Sequence, residues 1–245
     1  MSERSREGGQ TSPGPRVGVA IPAAGGGKRL GGRDKALVEL RGEPVLLHAL
    51  RPFMEHPRVF SIVVALAPRI AFPPPGWLVA LGSRVRVVPG AETRIRSVLA
   101  TLEALDPQVD VVVVHDAARP LVTREVIDRC VAGVSDGEGA VAGWPVVDTL
   151  KETDSRGRVL ATPDRARLWS AQTPQAFPRG PLMTAYRRAA AEGLPATDDA
   201  QIFVQFGGRV RMVKGSPRNL KITYPDDVGI AEFLLEEHRG TSAGP

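Results

Sequence analysis

Lys28, Arg29, Arg33 and Lys35 follow directly on Ala23-Ala24-Gly25-Gly26-Gly27, five residues with almost no side chain. Small residues let a ligand touch the backbone, and glycine permits backbone angles that other residues resist. Successive N–H groups in such a turn form a concave anion nest. The cations beside it suit a ligand with several negative charges, a polyphosphate rather than a single carboxylate. Two familiar glycine motifs fail here. A P-loop needs G-x-x-x-x-G-K-[ST], but Lys28 is followed by Arg29 and no glycine stands five residues before Gly27. A dinucleotide fingerprint needs G-x-G-x-x-G, but Leu30 stands where the third small residue belongs. Read alone, the string also fits a glycine-rich turn with solvated charges.

A second chemical group is Asp116, which follows the unbroken valine run Val111 to Val114 in the string His115-Asp116-Ala117-Ala118-Arg119-Pro120. In open parallel sheets ligands bind beyond the carboxyl ends of strands. A carboxylate there is a natural magnesium ligand, because Mg²⁺ takes few protein oxygens and keeps phosphate and water. The two alanines after it leave room for a nucleotide. A capping role for Asp116 fits its position nearly as well. A third group lies in Pro89-Gly90-Ala91-Glu92-Thr93-Arg94-Ile95-Arg96-Ser97, a turn entering a helix, where Glu92 and Arg94 can meet a ribose or a phosphate or be ordinary charges at a helix start.

The elements that position these groups follow from hydrophobic period. Val17 to Ile21, Phe60 to Ala67, Arg84 to Val88, Ala140 to Val147 and Arg209 to Val213 read as strands, together with the valine run. The segment 68–77, with four prolines, reads as a loop. Helices are expected from Pro44 to Met54, with His48 structural, from Thr123 to Val134, from about 179 to 192, after an N-cap at Thr197, and from Asp226 to His238 with Ile230, Phe233 and Leu234 facing inward. In the second of these, Val126, Ile127, Cys130, Val131 and Val134 share a face, which makes Cys130 core rather than nucleophile. Residues 148–165 read as a polar hairpin. The alternation of strand and helix predicts a three-layer α/β fold with a mostly parallel sheet.

The chain has 245 residues, 42% of them hydrophobic and 24% charged, as an ordinary globular chain has. No apolar run approaches the roughly 20 residues of a membrane helix. The net charge of +5 is spread along the chain, and aromatics make up only 5%, a poor composition for a stacking platform on single strands. Residues 1–16 are polar, lack the apolar centre of a signal peptide and read as a disordered tail, as 239–245 read as a flexible one. Cys130 is the single cysteine, so no internal disulfide forms and a cytoplasmic setting is expected.

Ala23-Ala24-Gly25-Gly26-Gly27-Lys28-Arg29 with Lys35 resembles the sugar-nucleotidyltransferase signature, A-A-G-x-G-x-R followed by a lysine. Asp34 stands where that family usually has proline. Adding the HDAARP string, the segment Leu168-Trp169-Ser170-Ala171-Gln172-Thr173-Pro174-Gln175-Ala176-Phe177 and Asn219-Leu220-Lys221-Ile222-Thr223, the chain from 17 to 238 resembles the 2-C-methyl-D-erythritol 4-phosphate cytidylyltransferase family. That resemblance implies a single nucleotidyltransferase domain over 17–238 that joins CTP and 2-C-methyl-D-erythritol 4-phosphate with Mg²⁺. Arg29, Lys35 and Lys221 would be catalytic. Ala23, Ala24, Gly25, Gly26, Gly27, Gly90, Glu92, Ser97 and Ala117 would bind nucleotide. Asp116, Arg119, Thr149, Arg165 and Thr173 would meet the acceptor, with Asp116 also the metal ligand and Trp169 a packing residue. The hairpin at 148–165 would be a dimerisation arm, delivering Thr149 and Arg165 to the partner's site. Neither nucleic acid nor membrane is an expected partner. Three alternatives stay open: a ribitol 5-phosphate cytidylyltransferase or similar enzyme, a dinucleotide-dependent oxidoreductase, and a basic nucleic-acid binding module.

Overall fold

The structure is a computed structural model and describes residues 14–27 and 33–241. Val17–Ala23 forms β1. Two short antiparallel pairs follow, β2 (Gly26–Gly27) with β3 (Arg33–Asp34) and β4 (Glu39–Leu40) with β5 (Glu43–Pro44), separated by a 3-10 turn over Lys35–Leu37. Then come α1 (Val45–Met54), β6 (Val59–Leu66), α2 (Pro68–Ala71), α3 (Gly76–Val79), β7 (Val85–Pro89), α4 (Arg94–Ala104), β8 (Val111–Val114), α5 (Arg124–Ala132) and β9 (Glu138–Pro145). The arm holds β10 (Glu152–Thr153) and β11 (Val159–Ala161). The chain closes with β12 (Trp169–Pro178), α6 (Arg179–Glu192), α7 (Asp199–Gln205), β13 (Arg209–Lys214) and α8 (Asp226–Thr241).

Seven strands make one sheet in the order β13-β9-β12-β8-β1-β6-β7. β1 is central, with Val17 to Ala20 beside Val111 to Val114 and Gly18 to Ala23 beside Ser61 to Leu66, both parallel. Branched residues at these positions are buried on both faces, which explains their continuous apolar character. Val19, Ile21 and Val113 face α1 and α5 through Leu46, Leu50, Phe53, Ile127 and Cys130. Ala20, Val112 and Val114 face α4, α6 and α7 through Val98, Leu102, Tyr186 and Phe203. The result is the expected three-layer α/β arrangement. β12 alone runs antiparallel to its neighbours β8 and β9.

Several expectations need correcting. The supposed loop at 68–77 contains the single-turn helices α2 and α3, each begun by a proline-containing segment. Arg16, assigned to the tail, is tied down: its N–H donates to Asp110 Oδ2 at 2.9 Å and its carbonyl accepts from Asp110 and Val111. Residues 1–13 of that tail lie outside the described residues, as do 242–245, while α8 runs on through Thr241. The cap of α7 is Asp198, which accepts from the Gln201 N–H at 2.9 Å, and not Thr197. In α8 Ile230 and Phe233 are exposed, and Ala231 with the partly buried Val228, Leu234 and Leu235 faces the third apolar cluster, beside Leu40, Val45, Leu121 and Ile222. Leu234 is thus the one correct member of the expected inward face. Trp169, expected to pack rather than react, starts β12 at the root of the arm, 39% exposed, with its ring over Gly143. Cys130 is fully buried and donates to the Pro174 carbonyl at 3.3 Å, and burial pushes its thiol up to about 12. His48 is buried with Nε2 3.1 Å from the Leu40 carbonyl, a structural contact.

Candidate functional site

The carboxyl ends of β1 and β8 and the entry to α4 enclose a cavity of about 540 Å³. Ala23, Ala24, Gly25, Gly26, Glu92, Ser97, Asp116, Ala117 and Lys221 all line it. Ala91, Thr93, Arg94 and Ala118 complete much of the wall. This is the switch point of the sheet, where β6 lies on one side of β1 and β8 on the other. A Cβ at Gly25 or Gly26 would meet nothing within 4 Å, so the protein's own packing does not demand glycine there. Gly90 differs. A Cβ on it would fall 2.1 Å from Ala24 Cβ, and its N–H donates to the Leu66 carbonyl at 2.6 Å. Gly90 therefore locks the glycine loop against the end of β7 from beneath and is not part of the wall. Ser97 holds the same turn: its Oγ accepts from the Ala91 N–H at 2.9 Å and contacts the Thr93 carbonyl at 3.0 Å.

Residues 28–32, Arg29 among them, lie outside the described residues, and only the backbone of Gly27 and Lys35 is described. Lys35 opens the 3-10 turn directly after β3, which pairs antiparallel with β2. Asp34, in place of the usual proline, has a partner: Arg69 Nη2 donates to its Oδ2 at 2.5 Å, tying the strand before Lys35 to α2.

Asp116 is the electrostatic centre. Lys221 Nζ lies 2.7 Å from its Oδ2, while Arg119 Nε and Arg94 Nη2 lie 3.9 Å from Oδ2 and Oδ1. Burial alone would raise the Asp116 pKa, but Lys221 and the two arginines outweigh it and hold the carboxyl below its ordinary value. Lys221 is brought there by its neighbours. Asn219 donates from Nδ2 to the Thr173 carbonyl at 2.8 Å, and the Ile222 N–H donates to the Ala118 carbonyl at 2.8 Å. A second, smaller cavity of about 130 Å³ adjoins the first and is lined by Arg94, Asp116, Arg119, Thr173, Gln175, Thr197, Asp198 and Lys221, among others. Arg94, Asp116 and Lys221 belong to both walls.

Thr173 is committed inside the protein more than its expected role suggests. Its hydroxyl accepts the Asp116 N–H at 3.0 Å and lies 3.0 Å from His115 Nδ1. Burial pushes the His115 imidazole down from 6.5 to about 4. Neutral His115 then carries its proton on Nε2, donating to the Arg119 carbonyl at 3.1 Å, and accepts from the Thr173 hydroxyl at Nδ1. The ring shapes the loop and offers no base to the cavity. A buried base with a lowered pKa costs stability as pH falls, because the unfolded chain binds the proton first. Stability should therefore fall from pH 6.5 towards about 4 by on the order of 3 kcal/mol from this group. Urea melts of wild type and His115→Gln check this, with the variant losing that part of the slope.

Thr149 and Arg165 lie on the exposed arm and line neither cavity. The Arg165 side chain instead donates to the Val147 carbonyl. Sequence reasoning left Arg94 and Asp199 out of the expected set. Arg94 reads in the sequence as a residue able to meet a ribose or phosphate or as an ordinary charge at a helix start, and its partner Asp199 lies 105 residues away. Among the described residues no group of three or more His, Cys, Asp or Glu side chains can hold a metal. An all-protein metal cage is thus not built among the described residues, and the single carboxylate Asp116 on the cavity wall is a donor of the kind Mg²⁺ takes when phosphate and water supply its other ligands.

The family model of 2-C-methyl-D-erythritol 4-phosphate cytidylyltransferase matches residues 17–237. A relative of that name from Symbiobacterium thermophilum is 44% identical over 223 residues, covering 90% of this chain and 93% of that one. Another, from Streptomyces avermitilis, is 41% identical and covers 98% of both. The crystal structure of 2-C-methyl-D-erythritol 4-phosphate cytidylyltransferase from Thermus thermophilus superposes with a TM-score of 0.75 at 33% identity, covering 91% of this chain and 98% of that one. The HDAARP turn and the second lysine thus sit in a fold and a sequence context shared along the matched length. The chain belongs to the 2-C-methyl-D-erythritol 4-phosphate cytidylyltransferase family.

Proposed function

We infer that the protein joins CTP and 2-C-methyl-D-erythritol 4-phosphate to give 4-diphosphocytidyl-2-C-methyl-D-erythritol and pyrophosphate, a step in isoprenoid precursor synthesis. Family membership supports the reaction. The observation that carries the site assignment is the Lys221–Asp116 pair shared by two adjoining cavities, one roomy enough for a nucleotide and one small and polar.

The larger cavity takes CTP, with Ala23 to Gly27 and Ala117 against the nucleotide and Glu92 near the ribose. The smaller takes the acceptor phosphate, with Arg119 as its cation. A phosphate oxygen of the acceptor attacks the α-phosphorus, a new P–O bond forms, and the bond to the β-phosphate breaks with pyrophosphate as leaving group. That oxygen is ionised at neutral pH, so no general base is needed, which accords with a His115 whose ring is fully engaged. Catalysis is then positioning and electrostatic stabilisation. Lys221 faces the α-phosphate, and Arg29 and Lys35 hold the triphosphate from the loop side. Asp116 is the residue that would hold Mg²⁺, and the ion, when bound, would neutralise phosphate charge. The experiment is pyrophosphate release with each of four nucleoside triphosphates against methylerythritol phosphate and ribitol 5-phosphate. Turnover only with CTP and methylerythritol phosphate is expected, and a preference for ribitol 5-phosphate would select the neighbouring activity.

The protein works, in this reading, as a cytoplasmic homodimer. The arm exposes Val147, Leu150, Val159 and Leu160, with Trp169 at its root. A two-stranded hairpin is marginal alone in water, and a twofold partner is the simplest surface for it. Thr149 and Arg165, outside both cavities of their own chain, would then serve the partner's acceptor, where the planar Arg fork suits phosphate. Arg165→Ala should raise KM for methylerythritol phosphate about tenfold or more and leave KM for CTP unchanged. Mixing Lys35→Ala with Arg165→Ala at limiting acceptor should restore part of the activity. Subunit exchange without restoration would place the arm in cis.

A further inference from the structure

Tyr186, Asp199 and Arg94 form a buried polar chain that the reaction as described leaves unused. Asp199 opens α7 and Tyr186 lies on α6, both fully buried. Arg94 opens α4. Arg94 Nη1 donates to Asp199 Oδ1 at 2.9 Å and Nη2 to Oδ2 at 2.7 Å, a two-pronged fork, and the Tyr186 hydroxyl donates to Oδ1. Three elements of one helical layer thus converge on a single carboxylate.

Such a device is not a good stabiliser. A buried ion pair generally gains no more than apolar residues of the same volume would, because desolvation offsets the attraction. What it does supply is orientation. Burial would lower the Arg94 pKa, but the Asp199 charge outweighs it and the net shift is upward, so the guanidinium stays charged. Burial and the Asp199 charge raise the Tyr186 pKa well above its ordinary value, so the phenol stays a donor. Among the described residues the other carboxylate within 4 Å of Arg94 is Asp116, at 3.9 Å, which already holds Lys221 at 2.7 Å. Released from Asp199, the guanidinium would turn to Asp116 and compete with Lys221.

We propose that Asp199, with Tyr186 behind it, is a positioning residue for the transfer reaction. It fixes Arg94 at the junction of the two cavities with its remaining N–H groups towards the transferring phosphoryl group, and it keeps Arg94 off Asp116. This rests on the cytidylyl-transfer reading above. Asp199 touches no substrate and acts through Arg94.

The test uses the full chain and steady-state pyrophosphate release with CTP and methylerythritol phosphate each varied, alongside Tm. Asp199→Asn keeps the shape and removes the fork. It should lower kcat about a hundredfold, as a misplaced group does, with both KM values changed by less than about threefold. Arg94→Gln should lose a similar factor, and the double variant should be no slower than Arg94→Gln, because the two residues act as one unit. Normal kcat in Asp199→Asn with only a lowered Tm overturns the proposal, as do losses that multiply in the double variant. If Asp199→Asn does not fold, Arg94→Lys decides: a lysine keeps the charge but cannot take the fork, so it should be as slow as Arg94→Gln, and near-normal kcat overturns the proposal. Wild type that releases no pyrophosphate from these two substrates overturns the underlying reading. An active wild type with an unaffected Asp199→Asn overturns only the positioning role.

Discussion

Replacing Lys221 by alanine should lower kcat by about 10²–10³-fold, on the order of 3–4 kcal/mol of barrier, with little change in Tm. The ammonium is 2.7 Å from Asp116 Oδ2 and lines both cavities. It is therefore the cation that both a nucleotide and an acceptor phosphate would approach. Charge on the transferring phosphoryl group is redistributed as the β-phosphate leaves, and a preorganised cation there acts more strongly than one in water. The lysine side chain is 44% exposed, and Arg94 and Arg119 stay beside Asp116 in its absence, so the loss falls mainly on rate. Asn219 and Ile222 keep their own hydrogen bonds to Thr173 and Ala118 in the variant, so the loop survives. Lys221→Arg should recover part of the rate, since the charge returns with different geometry. Pyrophosphate release and thermal melts check both, and a folded Lys221→Ala enzyme with near-normal kcat would remove Lys221 from the chemistry.

Asp116→Asn should be comparably severe, about a hundredfold or more in kcat. The substitution keeps the backbone N–H bond to Thr173 and nearly the same volume, so folding persists. It removes the charge that pairs with Lys221 at 2.7 Å and that Arg119 and Arg94 approach at 3.9 Å. Lys221 then loses its nearest partner and is no longer fixed at the junction of the cavities. If Asp116 also holds Mg²⁺, the half-saturating Mg²⁺ concentration should rise together with the loss of rate. Full wild-type activity in excess chelator would eliminate the metal role, and an unchanged Mg²⁺ dependence in a slow Asp116→Asn would leave Asp116 as an organiser of cations alone.

What could be read from the sequence depended on whether a residue's surroundings are local. The valine strand and the core face of α5 with Cys130 each follow from a short string, and each stands where its pattern put it. β12 was missed as a strand because Thr173-Pro174-Gln175 interrupts any period, yet it fills the space between β8 and β9 and carries Gln172, Thr173 and Gln175, all buried. The phase of α8 failed because Ile230 and Phe233 are the bulky apolar residues that draw the eye, while the packed side is the one bearing the small Ala231. Burial favours the stripe that fits and not the bulkiest side chain. The Arg94–Asp199–Tyr186 chain joins α4, α6 and α7 across tertiary contacts alone, which no spacing rule reaches. Within the site, Lys221 and Asp116 were legible from motif, and their direct pairing was not.

An acceptor phosphate oxygen attacks the α-phosphorus of CTP in the space around Lys221 and Asp116: on this step the proposed function stands or falls. Methylerythritol phosphate labelled with ¹⁸O in its phosphate group tests it most directly, with both products followed by ³¹P NMR and mass spectrometry. All label should stay in the cytidylylated product, with one labelled oxygen bridging the two phosphorus atoms, and the pyrophosphate should carry none. Label in the released pyrophosphate, or CMP as the leaving product, would show attack at another centre and contradict it.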